Sequence, residues 1–320
     1  MYEGKTMAPN GSNAQQQQDI LPNFLIAGAA KSGTTSLYYY LKGHPEIYLS
    51  PVKEPCFFTH QILELPQQGI GDEKKFYIKT FEDYCRLFQG AEGKKAVGEA
   101  SADSVYLYDK TIPIIKRILG DPAIIILLRN PVTRAFSAYL HLVRDNREPL
   151  SFEEGLAEEE DRIQRNWQCM WHYKIRGLYY GQVKAFMKAF SRVKVVLHDD
   201  LKKTPMSVVK EVFEFLGVDT SYQPTDTATR YNTSGIPRFK SLNNLFLMKN
   251  IVQRSIRNTG SFMLTEDRWV KLRDTLRGKL LVKTEMKPET RAYLQQYFRE
   301  DILKLRELTG KDLSAWLKEK

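Results

Sequence analysis

The chain has 320 residues, with 48 Lys+Arg against 38 Asp+Glu, a formal charge of +10 and a pI near 9.3. Hydrophobic residues at 42 % and aromatics at 12 % supply a sizeable core, which excludes global disorder. Three scattered cysteines, Cys56, Cys85 and Cys169, form no CxxC pair, which excludes a disulfide framework, argues against a zinc site and predicts a reducing compartment.

Met1–Asp19 is polar, contains Gln15–Gln18, and reads as a disordered leader without the apolar stretch of a signal peptide. Residues 20–320 then read as a single domain. Asn23–Ala27 is a short apolar run predicted as a strand, turning at Gly28 into a loop that reaches Thr35. Ser36–Lys42 carries Leu37, Tyr38 and Leu41 at helical spacing, and Gly43-His44-Pro45 stops it. Ala123–Leu128 (AIIILL) reads as a strand covered on both faces and is far too short to cross a bilayer. Arg129-Asn130-Pro131 leads from it into a helix over Val132–Val143. Val193–Leu197 is a third strand, joined by Asp199-Asp200-Leu201 to a helix over Met206–Leu216 that Gly217 ends. Thr220–Gly235 reads as a surface loop. Pro288–Thr309 is a last helix, with Tyr293, Leu294, Tyr297, Ile302 and Leu305 near one face.

Strands alternating with helices predict an α/β fold: a P-loop-like parallel sheet with helices on both faces and a helical C-terminal part. Sites in such sheets lie beyond the carboxyl ends of the strands, so the loops after Ala27 and Leu128 are the candidates. The positive excess is uneven. Residues 236–291 hold thirteen Lys/Arg against five Asp/Glu, whereas Glu153–Asp161 is acidic. Such runs are either solvated faces or, for the basic one, a rim around an anionic ligand. Nucleic acid is disfavoured as a partner, because zinc-finger spacing, an RNP-like aromatic motif and an arginine-rich tail are all missing.

Gly28-Ala-Ala-Lys31-Ser32-Gly33-Thr34-Thr35 keeps two glycines five apart between a strand and a helix, where backbone N–H groups and the helix terminus attract a phosphate. A nucleotide kinase places Lys directly after the second Gly. Here Lys31 precedes Gly33, Thr34 takes the Lys position, and the strand Ala123–Leu128 ends in Arg129 rather than a magnesium-holding Asp. The loop is therefore expected to hold a phosphate without a metal. A P-loop kinase and a non-catalytic nucleotide- or polyanion-binding protein are the alternative readings.

Phe24–Leu41 (FLIAGAAKSGTTSLYYYL) resembles the 5′-phosphosulfate loop of sulfotransferases that use 3′-phosphoadenosine 5′-phosphosulfate (PAPS). Lys53–Phe58 (KEPCFF) resembles the KEPxFF motif of bacterial and heparan-sulfate-type members. Gly98-Glu99-Ala100-Ser101 is similar to the GE-x-S segment, with Ala102 where Pro is usual. Leu128–Tyr139 (LRNPVTRAFSAY) is similar to the 3′-phosphate motif, with Asn130 for Asp, and Arg176–Tyr179 matches the RGxY turn. Ser234–Arg238 resembles a late cofactor loop.

The resemblance implies sulfuryl transfer from PAPS to an acceptor hydroxyl by in-line displacement, releasing adenosine 3′,5′-bisphosphate. It implies Lys31, Ser32, Gly33, Thr34, Thr35 and Ser36 at the 5′-phosphosulfate, Lys31 also being catalytic, and Arg129 and Ser137 at the 3′-phosphate. It also implies Glu54 as the general base; Glu99 and His60 are fallback bases, and Arg238 and Lys240, in the basic segment, are either further cofactor holders or solvated charges. Phe57, Phe58, Tyr106 and Tyr108 are candidates for the acceptor pocket or for the core. No metal is implied. The acceptor stays open among glycans, lipids and small metabolites, and a cytoplasmic location is expected.

Overall fold

Apolar runs of five to six residues with no polar alternation form strands that need cover on both sides, and the sheet supplies it. The computed structural model describes residues 20–75, 77–224, 236–237, 281–282 and 284–318. The expected leader 1–19, most of the loop 220–235 and of the basic segment 236–291, and with them Arg238 and Lys240, lie outside the described residues.

Five parallel strands, β1 (Phe24–Gly28), β2 (Ile47–Leu49), β3 (Ala96–Ala100), β4 (Ala123–Leu128) and β5 (Val193–Leu197), stand in the order β2-β3-β1-β4-β5. One face is covered by α1 (Thr34–Lys42), α9 (His198–Lys203) and α10 (Pro205–Leu216), through Leu37, Leu41, Val209, Val212 and Phe213. The other packs under α4 (Tyr108–Leu119), α5 (Pro131–Arg144), α8 (Tyr179–Ala189) and α11 (Pro288–Thr309), with Leu294, Phe298, Ile302 and Leu305 of α11 buried there. The expected parallel sheet with helices on both faces and a helical C-terminal part is the fold observed.

The chain leaves β1 towards one edge of the sheet and leaves β4 towards the other. The crevice between their carboxyl ends is the switch point at which open α/β sheets bind ligands. Two strands of this sheet escape the sequence reading. β2 has three residues, and β3 (AVGEA) carries a glycine and a glutamate that weaken any strand signal. Gly98 is there for space: a Cβ on it would stand 2.4 Å from the Phe24 ring of β1. The segment Asp199–Leu201, expected as a connection, is helical as part of α9. Among the described residues no helix is long and apolar enough to cross a membrane.

Candidate active site

The turn from β1 to α1 depends on close backbone approach. A Cβ on Gly28 would meet Val105 Cγ1 at 2.2 Å, and Gly33, at φ 97°, supplies the left-handed residue that opens α1. The first amides of a helix have no intrahelical acceptor, and no side chain caps these. Gly33, Thr34, Thr35 and Ser36 line a cavity of about 330 Å³ at the crevice. Lys31, in the left-handed region at φ 70°, lines it too. Burial, opposed by Asp145 and reinforced by Arg144, Arg129 and Lys53, lowers its ammonium from 10.5 to about 7. The position holds more positive charge than it balances. Ser32 is fully buried behind the loop and is not among the lining residues.

Arg129 leaves β4 directly into the same cavity. Its Nε donates to Thr133 Oγ1 at 3.0 Å and one Nη to the Lys31 carbonyl at 3.3 Å, so the two loops brace each other. Asn130 caps α5 by accepting from the Val132 amide at 3.0 Å, which a neutral amide oxygen does as an Asp would. Two turns along α5, Ser137 reaches the cavity. Arg134, on the same helix, is buried and donates to the Tyr173 carbonyl, inside the fold rather than at the site.

Glu54 also lines the cavity, and it and Cys56 take left-handed φ values of 59° and 54° on either side of Pro55. Glu54 Oε1 accepts from Lys53 Nζ at 2.6 Å and Oε2 from the Ala102 amide at 2.8 Å, which fixes the carboxylate at the cavity edge. Lys75 and Asp103 line the cavity as an ion pair, and the other Asp103 oxygen accepts from Arg176 at 2.7 Å. These two cations hold Asp103 well below the usual carboxylate range despite its burial. The cavity thus joins an uncapped helix terminus and several cations to two ordered carboxylates, Glu54 and Asp103. That suits transfer of an anionic group between two bound partners.

A sequence model described as the sulfotransferase family matches residues 22–222, more than half of the chain. The chain belongs to the sulfotransferase family. It is similar to the crystal structure of a sulfotransferase from Alicyclobacillus acidocaldarius, with 37 % identity and a TM-score of 0.74 over 93 % of this chain and 100 % of that one. Membrane-associated sulfotransferase kil1 of Dictyostelium discoideum is 36 % identical over 151 residues, 45 % of this chain and 29 % of its own. Human carbohydrate sulfotransferase 15 is 29 % identical over 195 residues, 50 % of this chain and 34 % of its own. The chain therefore spans about a third of the length of these curated relatives. Sulfuryl transfer is the reaction class that family membership brings.

Of the residues expected at a sulfotransferase site, Lys31, Gly33, Thr34, Thr35, Ser36, Glu54, Arg129 and Ser137 share the one cavity. Glu99 and His60 are not among its lining residues. Glu99 is buried on β3, and His60 stacks on Tyr77 with ring centroids 5.5 Å apart. Phe57 and Phe58 belong to the core, where Phe57 stacks on Tyr84 at 4.4 Å. Sequence reading missed Lys75, Asp103, His141, Met170 and His198, all of which line the cavity. Only His141 carried a findable signal, since it follows Ser137 by four residues on the same helical face.

Proposed function

We propose that this sulfotransferase moves the sulfuryl group of PAPS to an acceptor hydroxyl by in-line displacement, without a metal, releasing adenosine 3′,5′-bisphosphate. The observation that carries the reading is the convergence of the Gly33–Ser36 helix terminus, Lys31, Arg129, Ser137 and Glu54 on one cavity. The helix amides and the hydroxyls of Thr34, Thr35 and Ser36 would take the 5′-phosphosulfate. Arg129, whose planar fork meets two oxygens together, would take the 3′-phosphate with Ser137. An arriving anion restores the Lys31 ammonium that burial and its cationic neighbours weaken, and that ammonium then neutralises the phosphate oxygen from which sulfur departs. Glu54, its oxygens already oriented by Lys53 and the Ala102 amide, accepts the proton of the attacking hydroxyl. The S–O bond to the phosphate breaks as the new S–O bond forms. Ser32 supports the loop from behind, and Arg238 and Lys240 are proposed as further holders of the nucleotide.

The metal-free reading rests on Thr34 and Arg129 standing where a P-loop kinase keeps its Lys and Asp. The proposal takes residues 20–320 as one catalytic domain in a reducing, cytoplasmic setting, in keeping with three buried free cysteines. The acceptor is a hydroxyl of a glycan, lipid or small metabolite. The test is transfer from labelled PAPS to a panel of phenolic, sugar and hydroxyacyl acceptors, with and without EDTA. Turnover that survives EDTA and falls about 10²–10⁴-fold in Glu54→Gln supports the reading. A strict magnesium requirement, or full activity in both Lys31→Ala and Glu54→Gln, overturns it.

A further inference from the structure

The turn that carries Glu54 is docked on the end of β3 by consecutive contacts. The Glu54 amide donates to the Ala100 carbonyl at 2.9 Å, the Cys56 amide to Ser101 Oγ at 3.1 Å, and the Ala102 amide to Glu54 Oε2 at 2.8 Å. Two of the three turn residues are non-glycine residues at positive φ, a conformation that persists only when its surroundings impose it. Ser101 is the hinge of the arrangement. Its hydroxyl has one proton, given to Glu99 Oε2 at 2.8 Å, which leaves its lone pairs facing the Cys56 amide. Glu99 is 1 % exposed and lies outside the cavity, so its carboxyl meets neither partner of the reaction directly.

We infer that Glu99 and Ser101 form a positioning device: Glu99 orients the Ser101 hydroxyl, Ser101 holds the Cys56 amide, and the turn so fixed presents Glu54 to the acceptor. This rests on the reading of Glu54 as the base. The device works with Glu99 uncharged. Burial pushes its carboxyl up to about 8, Ser101 opposing that shift and the Glu54 charge adding to it. The groups that act on Glu99 or feel its charge are Ser101, Glu54 and Lys53, together with Cys56 of the turn and Tyr84 of α3 (Phe81–Arg86). Near neutral pH the acid keeps the turn docked. Above about 8 a second buried anion appears beside Glu54 and pushes the turn away.

The test compares wild type, Ser101→Ala and Glu99→Gln in the full chain. Sulfuryl transfer from PAPS is followed to the acceptor turned over fastest in the panel, or to water if none is. Amide exchange of residues 54–60 is followed by mass spectrometry on the same proteins. Ser101→Ala is expected to lower kcat about tenfold with KM for PAPS unchanged, and to expose the Cys56 amide to exchange. Glu99→Gln, a permanent mimic of the acid, is expected to keep turnover at pH 7 within about twofold. It should also hold that rate, and its amide protection, above pH 8 where wild type loses both. Identical pH profiles for wild type and Glu99→Gln overturn the inference, as does a Ser101→Ala variant that changes melting temperature but not kcat. A Glu54→Gln control separates the two claims: full activity there overturns the role of Glu54, whereas an inactive control beside an unaffected Ser101→Ala overturns the device alone.

Discussion

Two charged regions lie within one fold and handle charge in opposite ways. Outside the cavity lining, Glu148 accepts from Arg162 at 2.7 and 3.0 Å and from the Tyr173 hydroxyl at 2.6 Å, and it is fully buried with its arginine. Nearby, Asp72 receives Arg147, the Trp171 indole, and the Gly69 and Gln168 amides. In that buttress every buried carboxylate is matched by donors. At the cavity, by contrast, Lys31 is buried and feels Arg144, Arg129 and Lys53 against Asp145, so burial first and these cations second lower its ammonium to about 7. Desolvated charge that is fully matched holds a structure together, whereas a cation left unmatched at a cavity is ready for a ligand of opposite sign.

The contrast breaks most sharply where one partner of the buttress is removed. Glu148→Ala strands Arg162, which is 2 % exposed, and should cost roughly 3–5 kcal/mol in urea unfolding. A loss below about 1 kcal/mol would mean that water reaches the pair. At the floor the loss should fall on turnover instead. Lys31→Ala is expected to lower kcat about 10²–10³-fold while leaving the urea midpoint unchanged or higher, because an unfavourably placed cation is gone. A lowered midpoint would make Lys31 structural.

Smaller effects sharpen the distinction. Arg129→Lys keeps the charge but loses the fork, so Kd for adenosine 3′,5′-bisphosphate should rise about tenfold by titration calorimetry. Finally, pH acts on the floor through Lys31. The native Lys31 ammonium titrates near 7 against 10.5 in the unfolded chain, so between those values the unfolded state binds more protons and stability rises with pH. Anion binding reverses this by drawing a proton back onto Lys31. At pH 8 the bisphosphate should bind with uptake of up to about one proton, read from calorimetry in buffers of different ionisation enthalpy, and Lys31→Met should abolish the uptake.

The floor was far more legible in the sequence than the buttress. The loop from Gly28 to Thr35 and the segment from Leu128 to Tyr139 each gather their candidate residues contiguously at a strand end, so glycine spacing exposes the first and a motif resemblance the second. The fallback bases Glu99 and His60 were legible only as residue types. Whether a carboxylate faces a cavity or a core is decided by strands paired far along the chain, and Glu99 lies on β3, which carries no strand signature of its own. Lys75 and Asp103 sit in irregular segments whose meeting depends on chain separated by 28 residues. No local pattern encodes that.

The sequence by itself determined the parallel α/β architecture and the phosphate loop, because hydrophobic period and glycine spacing act over a few residues. The tertiary structure decided which charges are balanced. It set Lys31 among more cations than carboxylates and enclosed Glu148 with its arginine, and it anchored Glu54 on the end of β3. Electrostatic energy depends on distance and burial through space, and neither is written in the order of residues.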